Sequence, residues 1–171
     1  MSTLLFIIIH ILAQIYLLYF NFQMPFLKEI IVKKNIRILI WKIVENLSDL
    51  KESTFLTKDQ EKELKKRKVN SHKKQYLASR KLINMAKSNE LNDTFYESLF
   101  SKKKKSYSIS HTMHFAVLAI GSQKIGVDIE YNRPKILNIK SKFINLEEKF
   151  FMKSDNIKTI TRLWTCKEAI Y

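Results

Sequence analysis

Asp128 and Glu130 stand at i and i+2 in the apolar run Ile125-Gly126-Val127-Asp128-Ile129-Glu130. Side chains alternate along a strand, so both carboxylates share one face while Ile125, Val127 and Ile129 take the other. Those two residues alone are as well read as the acidic solvent face of an amphipathic strand. A second pattern downstream gives them chemical meaning. Counting from Ile160, helical spacing gathers Leu163, Trp164, Lys167, Glu168 and Tyr171 on the same face. Charged side chains are rarely buried without partners. Lys167 and Glu168 inside an apolar stripe therefore require a metal, a ligand or each other. Asp128, Glu130 and Glu168, with Lys167 beside them, make a set of hard oxygen donors suited to magnesium held together with an anionic phosphate.

The elements that must position these groups can be read from patterning. Ile36 to Val44 is rich in β-branched residues and predicts a strand carrying Trp41. Thr57-Lys58-Asp59-Gln60 has capping-box spacing and predicts a charged helix running to about Lys68. A second helix begins at Asn70 or Ser71, with Tyr76, Leu77, Ile83 and Ala86 on its apolar face. Arg80 lies in that sector, where an arginine either snorkels or holds an anion. Ser106 to His111 and Phe115 to Ile120 read as strands, followed by a turn at Gly121-Ser122 and the acidic strand, together an antiparallel meander. His111 falls at a strand end, where histidines are ordinarily packed or capping residues. Lys102 to Lys105 reads as a solvated turn, Tyr131-Asn132-Arg133-Pro134 as a turn, and Leu146 as the start of a short helix.

Composition narrows the function classes. The chain has 171 residues and a formal net charge of +15. That length supports one ordinary domain or two small lobes. The charge reads equally as a polyanionic partner (nucleic acid, a phosphorylated cofactor, an acidic protein or an anionic membrane) or as lysine-rich compositional drift spread over a solvated surface. Cys166 is the single cysteine, which excludes an intramolecular disulfide and suits a reducing compartment. Two glycines and two prolines leave little room for a glycine-rich phosphate loop, and nucleotide-binding fingerprints are absent.

Residues 1–23 carry no charged side chain, and Leu4 to Phe22 is nearly long enough to span a bilayer, although His10, Gln14 and Asn21 interrupt it. A secretory signal is not expected, since a basic n-region and a small-residue cleavage site are both missing. Read as an anchor, the segment would leave Lys28, Lys33, Lys34 and the basic domain on the cytoplasmic side. Read as an upstream extension, it precedes a natural beginning at Met24-Pro25-Phe26. The extension is the expectation adopted, with a cytoplasmic monomer that folds from residue 24 onward.

Ile125 to Glu130 together with Leu163-Trp164-Thr165-Cys166-Lys167-Glu168-Ala169 resembles the paired signature of 4'-phosphopantetheinyl transferases. Ser108-Ile109-Ser110-His111 resembles a third element of that signature. Tyr76-Leu77-Ala78-Ser79-Arg80 resembles the N-terminal motif of the larger Sfp type. The resemblance covers roughly residues 24–171. It implies an α+β fold of two pseudo-symmetric lobes, small antiparallel sheets packed with helices, over residues 24–105 and 106–171. It also implies magnesium-dependent transfer of the phosphopantetheine arm of coenzyme A to a serine of an acyl or peptidyl carrier protein. Asp128, Glu130 and Glu168 would bind magnesium on the pyrophosphate, and Glu168 would serve as base for the carrier serine. Lys167 would hold phosphate charge, while His111 and Arg80 would meet the 3'-phosphate of coenzyme A. Carrier proteins of this class are acidic, which suits the basic surface.

The chain also departs from the family pattern. The family's helix motif continues to a further lysine four residues beyond the Glu168 position, and further strands complete the second lobe. Tyr171 comes before both, so the second lobe is expected to be incomplete and the activity impaired. Glu168 then falls in a last helical turn that should fray. A Lys-Pro element ahead of the serine-histidine strand is missing as well. The alternative from a different class is a non-enzymatic polyanion binder using the Lys58 to Lys81 region on nucleic acid or an anionic membrane. Three converging carboxylates count against nucleic acid.

Overall fold

The β-branched and aromatic runs form a four-stranded antiparallel sheet in the order β1-β2-β4-β3. The strands are β1 (Phe26–Lys33), β2 (Ile36–Lys42), β3 (Ser106–His111) and β4 (Phe115–Gly121). The computed structural model describes residues 25–33, 36–87, 106–121, 123–152 and 154–170. The apolar segment 1–23, the lysine run 102–105, the turn residue Ser122 and the terminal Tyr171 lie outside the described residues. Helices α1 (Leu47–Glu52), α2 (Lys58–Lys66) and α3 (Asn70–Lys87) separate the two strand pairs, and α4 (Ile136–Ile139), α5 (Leu146–Phe151) and α6 (Ile157–Ile170) follow the sheet. The architecture is α+β. Strands from either side of the expected boundary at 105 share this one sheet. Among the described residues no helix is long and apolar enough to cross a membrane.

The core lies between one sheet face and α3. Tyr76, Leu77, Leu82, Ile83 and Ala86 pack against Leu39, Trp41, Leu118 and Ile120, which continue the same face across β2 and β4. Leu39, Leu77, Leu82 and Leu118 have no exposed surface. Burial at this level stabilises by roughly 1.5–3 kcal/mol per large apolar side chain. The expected capping box is present: the Thr57 hydroxyl accepts from the Gln60 N–H at 3.3 Å, and the Gln60 side chain accepts from the Thr57 N–H at 3.0 Å. The strand at β1 and the short helix α1 were not expected from patterning. In α1 the Asn46 side chain accepts the Asp49 N–H at 3.0 Å, and Leu50 is fully buried. One capped turn with a single buried leucine carries too little periodicity to read.

Residues 125–130 correct the expectation of a strand. They form no strand and no backbone ladder, and the meander stops at β4. The amides of Ile125, Val127 and Ile129 are taken by side chains instead.

Candidate active site

Ser106, Ser108 and Ser110 alternate along the edge strand β3 and so project from one face. Their hydroxyl oxygens accept the backbone N–H groups of Ile125 at 2.8 Å, Val127 at 3.1 Å and Ile129 at 3.2 Å. Every rung joins residues nineteen apart, so the acidic segment runs parallel to β3. A serine ladder thus replaces the backbone ladder, since buried amides require acceptors of some kind. Ser110 does more than its neighbours: its hydroxyl also donates to Asp128 Oδ1 at 2.6 Å. The second oxygen, Asp128 Oδ2, is buried without a hydrogen-bond partner among the described residues.

The last turn of α6 lies against the same segment. A Cβ at Gly126 would stand 1.5 Å from the Ala169 carbonyl oxygen, so only glycine allows this backbone approach. The approach brings Glu168 into electrostatic range of Glu130. Although much of Glu130 is exposed, partial burial pushes its carboxyl above the usual range. The Asp128 charge adds to that rise and Glu168 pushes the same way, while Arg133 and the Tyr131 backbone oppose them.

The three acids are neighbours in charge more than in contact. Glu130 lines a cavity of about 200 Å³ with Tyr131, Arg133 and Trp164. Glu168 lines another of about 360 Å³ with Lys167, Phe143 and Trp164. Trp164 therefore borders both. Among the described residues no group of three or more His, Cys, Asp or Glu side chains is arranged to hold a metal ion. Glu168 is exposed, which corrects the expectation that it faces inward. Only Ile160 and Thr161 are buried on α6: the helix touches the short α4, and its final turn is met on one side by the Gly126 backbone, which leaves the Glu168 side chain open to solvent.

Lys167 has a partner that the sequence reading did not weigh. Its ammonium pairs with the Glu148 carboxylate, 2.7 Å to Oε1 and 2.8 Å to Oε2, and donates to the Phe143 carbonyl oxygen. Hydrogen bonding to Lys167 and to the Asn145 amide holds the Glu148 carboxyl below its usual range. Glu148 also closes a capping box on Asn145 at the start of α5. Lys167 therefore ties α6 to α5. A further cavity of about 720 Å³, bordered by Lys140, Ile144, Leu146 and Met152, contains none of the expected site residues.

A cationic cluster stands across β3 from the serines. Ile109 packs into the core, so the alternating His111 points to the α3 face of the sheet. Although His111 is exposed overall, partial burial of its imidazole lowers it below the usual histidine range; a hydrogen bond to its own backbone opposes this, and the charges of Arg67 and His72 reinforce it. Arg67 and Arg80 share the ring of Tyr76, at 4.0 Å and 4.8 Å from its centroid. Arg80 Nε is buried with no hydrogen-bond partner among the described residues. Like charges gathered this closely repel, and an anion among them would be favoured. The structure thus groups His111 with Arg80 through Arg67 and Tyr76, and groups Asp128 with Glu130 and Glu168. Arg67, His72, Ser110 and Glu148 were missed. Of these only Ser110 carried a signal, the serine alternation of β3. No protein-family model matches this chain, and no curated protein matches it.

Proposed function

We propose that this chain is a 4'-phosphopantetheinyl transferase of the Sfp type, in that family's two-lobed arrangement, moving the phosphopantetheine arm of coenzyme A to a carrier-protein serine. The observation that carries the reading is the division of labour across β3. Ser110 and His111 are adjacent in the chain, yet one holds the carboxylate of Asp128 and the other joins the cluster of Arg67, His72 and Arg80. A ligand with phosphates at two places fits that arrangement. Its terminal phosphate would meet the cations, and its pyrophosphate would approach the acids.

The donors suit magnesium in kind, as carboxylates of neighbouring charge, although among the described residues they are not gathered into a ligand group. Asp128 Oδ2 is buried and unpartnered among the described residues, and Glu130 is raised by partial burial and then by the Asp128 charge, so a hard cation would satisfy the one and favour the ionised form of the other. Asp128 and Glu130 would hold the ion, with Glu168 as the third ligand, and the ion supplies charge neutralisation on the pyrophosphate. Glu168 would accept the proton of the carrier serine hydroxyl. Lys167 reaches phosphate only by exchanging its Glu148 partner.

A fluorescent coenzyme A analogue and an apo acyl carrier protein test the reading directly. Magnesium-dependent labelling is expected, with a loss of at least about a hundredfold in Asp128→Ala, the scale on which removing a ligand's support abolishes metal function. Equal labelling with and without magnesium, or none at all, would sink it. The polyanion reading is favoured by one observation, the exposed Lys62, Lys65, Lys66 and Lys68 around the end of α2. On duplex DNA it predicts binding that falls with salt at a log-log slope of ~0.9 per phosphate neutralised and that persists in Asp128→Ala.

A further inference from the structure

We infer that Ser110 is a positioning residue for the Asp128 carboxylate, and that the serine ladder of β3 sets the register of the acidic segment. The inference rests on the transferase reading for its functional meaning, but its geometry stands apart from it. Three hydroxyls perform one common task, accepting the amides of Ile125, Val127 and Ile129 at 2.8, 3.1 and 3.2 Å. Among the described residues Ser110 alone of the three also donates to a side chain, Asp128 Oδ1 at 2.6 Å. A hydroxyl has one proton to give and lone pairs to receive with. The Ile129 amide therefore fixes the Ser110 oxygen from one side, and its proton is aimed at Asp128. The hydroxyl locks Oδ1 and leaves Oδ2, buried and unpartnered, as the oxygen available to a cation. Outer hydrogen bonds of this kind orient ligating carboxylates.

The ladder contains its own control. Ser108→Ala removes one backbone rung and no carboxylate contact, whereas Ser110→Ala removes both. Ser110→Thr keeps the hydroxyl. Three-bond couplings measured by NMR on the metal-free full chain report whether Asp128 occupies one χ1 rotamer. The expected result is a single rotamer in the wild type, Ser108→Ala and Ser110→Thr, and averaging between rotamers in Ser110→Ala. Titration with Mn²⁺ alone then reads the consequence. The dissociation constant is expected to rise roughly tenfold or more in Ser110→Ala and to stay within about twofold in Ser108→Ala, the usual size of an outer-shell effect. A single Asp128 rotamer in Ser110→Ala would overturn the inference, as would equal loosening by Ser108→Ala. If the wild-type chain takes up no Mn²⁺, the metal reading falls, and the rotamer comparison still decides the role of Ser110.

Discussion

The sheet with α3 and the C-terminal part from residue 123 onward are held by different forces. Between β2, β4 and α3 the contacts are apolar, and Leu39, Leu77, Leu82 and Leu118 are fully buried. Among the described residues beyond 123 only Ile160 and Thr161 are buried, while Leu146 is 86% and Phe150 85% exposed. That part is positioned by polar contacts: the serine ladder, the Lys167 pair with Glu148 and the Lys140 pair with Asp155. Apolar burial is nondirectional and supplies most of the stability. Hydrogen bonds add little net stability but fix geometry. The scaffold therefore carries the fold, and the polar part carries the placement of the acids.

Core truncation is expected to have the largest effect. Leu118→Ala should cost about 2–5 kcal/mol in urea unfolding and take sheet and site down together. A smaller loss confined to the C-terminal part would mean that the scaffold is not the stabilising unit. Gly126→Ala comes next. Its Cβ would stand 1.5 Å from the Ala169 carbonyl, so the last turn of α6 must shift. Overpacking of this kind costs roughly 1–3 kcal/mol. The proposed transfer reaction should nevertheless drop about a hundredfold, because small misplacements of reacting groups are costly. Unfolding as severe as that of Leu118→Ala would erase the contrast between the two regions.

The smallest effect belongs to the half-buried pair of Glu148 and Lys167. Glu148 is held below its ordinary value of 4.5, so its contribution is present above that pH and lost as pH falls through the lowered value of the folded state. Thermal midpoints measured against pH should show a small acid-side decline in the wild type that Glu148→Gln and Lys167→Met both flatten. An unchanged acid limb in both variants would remove this tie from the account of how α5 and α6 are joined.

Legibility followed the same division. Helices α2 and α3, strands β3 and β4 and the buried face of α3 were readable because amphipathic periodicity and a capping box are local properties. The segment 125–130 was misread for a physical reason. Alternation reports which side chains share a face, and a chain whose amides bond to serine hydroxyls is as extended as one in a backbone ladder. Glu168 was placed inward because helical spacing assigns a stripe without knowing what layer covers it.

What the sequence determined by itself was the inventory: the acids at i and i+2, the Lys167-Glu168 pair on a helix, the serine alternation, and a basic chain with few glycines. Each follows from residue type and spacing. Tertiary structure decided the partners. It gave Asp128 to Ser110, Lys167 to Glu148 and Gly126 to Ala169, and it set His111 beside Arg67 across the strand from the acids. Those pairings join residues far apart in the chain, and only the packing of the sheet edge against α3, with the acidic segment laid on β3 and against the end of α6, brings them within the few ångströms over which hydrogen bonds and charges act.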